Sequence, residues 1–240
     1  MTTTARLLGT RPRKSSPWIS RLAVVADRLV AEYGVPTLGN FRDPVKEIFY
    51  ILLSAKTTDA QYRKTHRNLW NAFPKLSDLA NASIRDIRSC IKSGGLAGKR
   101  APQIRRTARA LVAAGGSLPA RFLKSLDTQG AFDFLRDLPG MGPKSALCVL
   151  MYSLGVDAFP VDVNVQRIAA RMGAMPPGLK HYQAQRFLAD LAPEGRSREL
   201  HIGLVVHGRT ICLPRRPKCG SCSLVDLCRR GRKQGVANER

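Results

Sequence analysis

From Trp18 onward apolar residues recur three and four positions apart, the period of a helix that buries one face. The pattern runs through Ile19 to Tyr33, Val45 to Ala55, Asp59 to Phe73, Ile84 to Ile91 and Pro102 to Ala114. It continues through Ala131 to Leu138, Lys144 to Leu154, Val163 to Met172, Tyr182 to Leu191 and Ser197 to Ile211. No stretch alternates convincingly enough for a half-buried strand. Glycine and proline punctuate the joints, at Gly34 and Pro36, Gly94 and Gly95, Gly115 and Gly116, Gly155, and Pro176 and Pro177. No internal repeat is visible. The expectation is an all-α globule, and 240 residues leave room for one domain or two small ones. Residues 1–16 are polar, basic and aperiodic and predict a disordered arm, although an Arg- and Thr-rich start without acids also resembles an organelle transit peptide.

Charge narrows the partner. The chain has 40 Lys and Arg against 17 Asp and Glu, a formal charge of +23, with a normal apolar fraction of 44%. A field of that size attracts polyanions, and nucleic acid is the usual one. The charge is unevenly placed: no acid precedes Asp27, and Arg85 to Arg109 holds eight basic residues against the single acid Asp86. Such a surface pulls on phosphate without reading sequence. No apolar run approaches the ~18 residues of a spanning helix, so a membrane partner is not expected.

Four cysteines crowd a 17-residue stretch near the C-terminus, Cys212, Cys219, Cys222 and Cys228, with six, two and five residues between successive sulfurs. Loops this short bring the thiols toward one point. Disulfides would need an oxidising compartment, for which no secretory signal argues, and Cys90 and Cys148 sit apart in helical patterns like ordinary buried thiols. Metal is the better reading: thiolates suit zinc or an iron-sulfur cluster, and bound metal would fold a segment poor in apolar residues. Zinc ribbons usually set two close cysteine pairs either side of a spacer, whereas only the middle two are close here; spacing alone leaves both metals open.

A second motif is LPGMGPKSA, Leu138 to Ala146. A helix ends, two glycines stand one residue apart at Gly140 and Gly142, and Pro143 opens a new helix. Glycines let the backbone turn tightly and approach something large, while amides at the start of the second helix face outward toward an anion. Lys144 occupies the first turn of that helix, where the helix dipole disfavours an ammonium and so favours a nucleophilic amine. On the motif alone, a lysine that simply contacts phosphate is the better reading of the two.

Together, LPGMGPKSA, the later VDVNVQR (Val161 to Arg167) and HGRTICLPRRPKCGSCSLVDLC resemble the endonuclease III family of DNA glycosylases, in the helix-hairpin-helix superfamily. The similarity runs from about Trp18 to Cys228, and the six, two, five spacing matches that family's 4Fe-4S signature. The resemblance implies a two-lobed helical protein: a helical domain over 36–156 ending in the hairpin, a cluster-bearing domain made of 17–35 plus 157–228, and a basic tail over 229–240. It implies an enzyme that turns a damaged base out of duplex DNA, cleaves its glycosidic bond with an amine and nicks the strand. Its partner is then double-stranded DNA with a damaged base or abasic site, bound by a monomer. The place of action would be the cytoplasm and nucleoid of a prokaryote, or an organelle or nucleus otherwise.

Carried over by position, Lys144 matches the nucleophile and Asp162 its companion carboxylate, which is also well placed to cap the following helix. The two are expected to face each other within a few Å, with the cluster beyond ~10 Å. Leu96 corresponds to an apolar wedge and Lys56 to the residue that fills the gap left by the flipped base. Gln is usual at Lys56 and histidine at Asn164, and the stretch before the hairpin, Leu118 to Gly130, is longer than the family's and suggests altered loop geometry near the groove, so opposite-base preference and lesion range are open. An adenine-removing relative would carry a glutamate just before Lys56, where this chain has Ile51 and Leu52. A mismatch-specific glycosylase or a non-catalytic DNA-binding protein with a structural metal are the alternatives.

Overall fold

Residues 16–233 are described by a computed structural model, and the side chain of Lys233 is left aside. The arm expected over 1–16 lies, apart from Ser16, outside the described residues, as does the tail beyond Lys233. The helices are α1 (Pro17–Tyr33), α2 (Pro44–Ser54), α3 (Asp59–Ala72), α4 (Leu76–Asn81), α5 (Ile84–Ile91), α6 (Ala97–Gly115), α7 (Pro119–Ser125), α8 (Thr128–Asp137) and α9 (Pro143–Ser153). They continue with α10 (Val163–Met172), α11 (His181–Ala189), α12 (Ser197–Thr210) and α13 (Arg229–Lys233), with 3-10 turns at Lys92–Gly94, Cys219–Ser221 and Val225–Leu227. No strand occurs among the described residues, and no described helix is long and apolar enough to cross a membrane.

Several helices begin where the sequence supplies a side-chain cap. Ser16 accepts from Trp18 N ahead of α1, Asp43 from Val45 N ahead of α2, Ser83 from Asp86 N ahead of α5, and Asp127 from Gly130 N ahead of α8. Each bond satisfies an amide the helix cannot pair, worth about 1 kcal/mol.

The chain divides into two compact units, Gly39–Val156 and a discontinuous one made of the residues up to Leu38 and those from Asp157. In Gly39–Val156, α2 is the central helix. It is apolar nearly all round, burying Ile48, Phe49, Ile51, Leu52 and Leu53, and packs against α3, α6, α7 and α9. Ile87, Ile104, Leu111, Phe132 and Leu147 complete this core. Each such side chain contributes roughly 1.5–3 kcal/mol when fully buried. Glu47 is fully buried on α2 and is satisfied by Phe41 N at 2.8 Å and Asn40 Nδ2, which ties down the loop entering the helix.

In the discontinuous unit, Leu22, Val25 and Leu29 of α1 pack against α12. The approach is close: a Cβ at Gly203 of α12 would stand 2.7 Å from Leu29 Cβ. Phe159, Val161, Ile168, Met172, Leu188 and Leu224 belong to the same core, so the segment leading to Asp162 and the cysteine loop share one apolar foundation.

Two expectations change. The stretch Leu118 to Gly130 is no loop, since it holds α7 and the start of α8; α7 is seven residues long and buries only Leu123, too little for a periodic signal. Helix α6 begins at Ala97 and not Pro102. Proline removes one internal bond but the preceding turn is already built, with Lys99 N and Arg100 N both donating to Leu96 O.

Candidate active site and cluster loop

Helix α8 ends at Asp137, and Met141 N donates to Leu138 O at 3.0 Å to close a tight turn. Gly140 holds φ 84 in that turn, and a Cβ there would also stand 2.9 Å from the Gln103 amide. Thr107 Oγ1 donates to Pro139 O, fastening the turn to α6. Gly142 is extended and a side chain at it would meet nothing within 4 Å, so the backbone faces open space. No side chain caps α9, which opens with Pro143. Lys144, partly exposed, is the second residue of that helix.

Asp162 caps α10. Its Oδ1 accepts from Asn164 N and Val165 N, both at 2.8 Å, while Oδ2 accepts from Asn164 Nδ2 at 2.9 Å. The segment before it is pinned by buried Gln185, which accepts from Val161 N and donates to Phe159 O, and by His201, whose Nδ1 lies 2.8 Å from Pro160 O. Asn164 Oδ1 in turn accepts from Arg167 Nη2 at 2.9 Å; Arg167 also donates to Gly208 O and, through Nε, to Cys212 O at 3.0 Å. Burial pulls the basicity of Arg167 down. A line of hydrogen bonds therefore runs from the carboxylate to the first cysteine.

Lys56 and Leu96 are both exposed and both left-handed, at φ 53 and φ 52. For residues with a Cβ this costs roughly 1–3 kcal/mol each, so the surroundings must hold them. Arg100 lies beneath, 5% exposed, and donates from Nη1 to Gly94 O at 3.0 Å and Gly95 O at 3.2 Å and from Nη2 to Ala55 O. Thr57 Oγ1 donates to Gly94 O as well.

The four cysteines all line one cavity beneath α12, together with Arg171, Lys218 and Arg230. Among the described residues no group of three or more His, Cys, Asp or Glu side chains is gathered as a single-ion site. The four thiols share the lining of that one cavity. That arrangement, with four soft donors and three cations, fits an anionic iron-sulfur cluster. Each cysteine is set by a turn: Cys212 N donates to His207 O, Cys222 N to Cys219 O and Cys228 N to Val225 O. Arg171, one turn beyond Arg167 on α10, donates to Cys212 Sγ at 3.2 Å and to the carbonyls of Leu213 and Pro214. His207 bridges Tyr33 Oη (2.9 Å) and Cys222 Sγ (3.4 Å); with Tyr33 donating to Nδ1, its Nε2 proton faces the sulfur. Burial pushes the Cys222 thiol up to about 11, a cost that bound metal relieves by taking the thiolate. On the outer side Arg28 of α1 forks onto Asp226 and donates to Ser223 O.

The structure thus gathers Gly140, Gly142 and Lys144 in one hairpin, Lys56 and Leu96 over one arginine, and the four cysteines around one cavity. Lys144 belongs to Gly39–Val156, whereas Asp162 belongs with the cysteines to the discontinuous unit. Arg100 and Arg171 escaped the sequence reading. Both count toward the positive charge, but Arg100 falls on the buried stripe of α6 with Ile104, Ala108 and Leu111, and a charge on an apolar stripe was the available signal.

A helix-hairpin-helix ahead of a helix-capping aspartate points to a class, the base excision repair glycosylases: residues 49–194 match the model of the HhH-GPD superfamily base excision DNA repair protein. Residues 212–228 match the iron-sulfur binding domain of endonuclease III. Endonuclease III of Escherichia coli (strain K12) is 30% identical over 79% of this chain and 85% of its own length. A thymine/uracil-DNA glycosylase of Methanothermobacter thermautotrophicus is 29% identical over 78% of this chain and 82% of its own. The solved structure of a trapped endonuclease III-DNA covalent intermediate superposes with a TM-score of 0.79 at 24% identity, covering 90% of this chain and 98% of that one, which supports the fold. The chain belongs to the endonuclease III family. It is a DNA glycosylase whose cofactor is a 4Fe-4S cluster.

Proposed function

We propose that the protein excises oxidised pyrimidines from duplex DNA and cuts the resulting abasic strand, acting as a monomer. The observation that carries this reading is a lysine, Lys144, on the first turn of the hairpin helix, where a glycosylase that only hydrolyses needs no amine. With the nucleotide flipped out, the neutral Nζ attacks C1′ as the glycosidic bond breaks and its electron pair leaves with the base. Asp162, fixed in direction by its own helix, stabilises the developing positive charge on the sugar and takes the amine proton. Ring opening gives an imine between Nζ and C1′. Loss of a C2′ proton then expels the 3′ phosphate by β-elimination. The 4Fe-4S cluster, held by Cys212, Cys219, Cys222 and Cys228, supplies structure: it would order the loop that carries Arg215, Arg216 and Lys218, cations suited to backbone phosphate. Gly140 and Gly142 let phosphate approach the α9 amides, Leu96 wedges the stack and Lys56 fills the gap.

The test is borohydride trapping on a duplex with one abasic site. Wild type should form a covalent adduct and a nicked strand, and Lys144→Ala should form neither while still binding the duplex. Undiminished trapping by Lys144→Ala overturns the assignment. Uracil or mispaired thymine is the second reading, favoured by the similarity to a thymine/uracil-DNA glycosylase. A cleavage panel that pits oxidised pyrimidines against uracil and G·T mispairs decides between them.

A further inference from the structure

We propose that Arg100 is a positioning residue that joins Lys56 and Leu96 into one rigid double prong, so that gap filler and wedge enter the duplex together. The proposal rests on the reading of those two side chains as the groups that enter DNA. The three carbonyls that accept from Arg100 are those of Ala55, Gly94 and Gly95. Two of them belong to the peptides immediately before the left-handed residues. The Ala55 carbonyl and the Lys56 amide share one planar peptide unit, as do the Gly95 carbonyl and the Leu96 amide. Holding the oxygen therefore restricts the rotation that decides φ at the next residue. One planar guanidinium fixes both directions at once, which a flexible ammonium does less well.

The remaining contacts close the unit. Thr57 Oγ1 donates to Gly94 O, so the Lys56 loop also grips the glycines ahead of Leu96 directly. Gly94 is buried against Thr65, and a Cβ there would stand 2.7 Å from Thr65 Oγ1, so the glycine pair has little freedom to withdraw. The Arg100 stem sits on the inner face of α6 with Ala101 and Ile104. The tips, by contrast, are exposed. An arginine buried to satisfy backbone carbonyls beside two exposed, left-handed residues is an arrangement that orders the tips before DNA arrives, so that insertion need not bear that entropy cost.

The experiment uses cluster-loaded protein and the Arg100→Met variant, which keeps the stem and removes the donors. Hydrogen exchange of the free protein should accelerate by about tenfold or more in both segments, 55–58 and 94–97, and not elsewhere. On a duplex with a tetrahydrofuran abasic analogue opposite 2-aminopurine, the fluorescence rise on binding should fall to the level of a Lys56→Ala, Leu96→Ala double variant. Adding Arg100→Met to that double variant should change nothing further, as expected of groups acting as one unit. Affinity for undamaged duplex should stay within about twofold, because phosphate contacts supply it. Unchanged exchange in either segment, or an Arg100→Met effect that adds fully to the double variant, overturns the proposal. If Arg100→Met does not fold, Thr57→Val carries the same exchange test, and full protection of both segments in it is refuting. Exchange measures the clamp by itself. A wild-type protein that gives no 2-aminopurine signal would instead sink the reading of Lys56 and Leu96 as inserted groups.

Discussion

Acidification should weaken the Gly39–Val156 unit through His66. This imidazole is 3% exposed, and its Nε2 accepts from the indole N–H of Trp70 at 2.9 Å. An indole can only donate, so Nε2 carries a lone pair and the ring is neutral, with its proton on Nδ1. Lys46 O lies 3.1 Å from the same nitrogen and can be served only by a proton that ends the Trp70 bond. Burial, with a smaller push from the Lys46 ammonium, lowers the His66 pKa from 6.5 to about 4. The unfolded chain binds this proton near pH 6.5 and the folded one near 4, so the unfolded state holds more protons between those values. The stabilisation is complete above pH 6.5, is lost as pH falls, and is exhausted near pH 4. At 1.36 kcal/mol per pH unit the full gap comes to roughly 3 kcal/mol, of which roughly 2 kcal/mol is lost between pH 7 and 5. For a chain of this size that is a fall in Tm of about 4–8 °C. The assay compares thermal unfolding of wild type and His66→Gln at the two pH values. Glutamine keeps an acceptor for the indole and does not titrate, so the variant should lose about 2 kcal/mol less than wild type over the interval. Identical pH dependences would refute the argument.

Other outcomes follow from the geometry. A Cβ at buried Gly208 would lie 2.7 Å from Asn164 Cβ and 2.9 Å from Arg167 Nη2, so Gly208→Ala should cost about 1–3 kcal/mol in unfolding experiments and slow single-turnover cleavage with little change in duplex affinity. Cys222→Ser should abolish the visible absorbance of the cluster and leave residues 212–233 open to limited proteolysis; retained colour and protection would contradict the four-cysteine assignment. Lysine at 56 offers donors only, so an orphaned guanine, with O6 and N7 as acceptors, should be the preferred opposite base, and Lys56→Gln should move the preference toward adenine; identical rate profiles across the four opposite bases would refute it. Gly140→Ala forces a side chain into φ 84 against Gln103 and should weaken duplex binding at low salt, read by fluorescence anisotropy.

Helix identity was readable because long segments such as α1, α3 and α12 carry their period over several turns, and α5 and α10 match the expected limits at both ends. Short elements were not readable. Helix α4 spans six residues and α7 seven, so neither shows enough repeats, and both depend on packing against α6. The hairpin and the cysteine loop declare themselves through residue types that few other structures require in that order. What stayed hidden are arginines whose work is internal. Arg100, Arg167 and Arg171 look like surface charge in a chain of +23, yet each donates several bonds to backbone carbonyls, and a carbonyl leaves no trace in the sequence. Asp162 is a partial case: its capping role is legible from position, whereas the coupling through Asn164 to the cysteine loop required coordinates.

The order in which the ribosome delivers these parts matters. Helix α1 emerges early, but the apolar face formed by Leu22, Val25 and Leu29 finds its partner only when Leu200 and Leu204 are made, and Arg28 meets Asp226 later still. At 5–20 residues per second the delay is roughly 10–30 s. Once Ser153 is made the helices from Pro44 onward have all their own core partners in hand, while the greasy face of α1 still waits uncovered. Nascent chains stalled before residue 200 should therefore recruit chaperones through α1, and chains stalled past Cys228 should not.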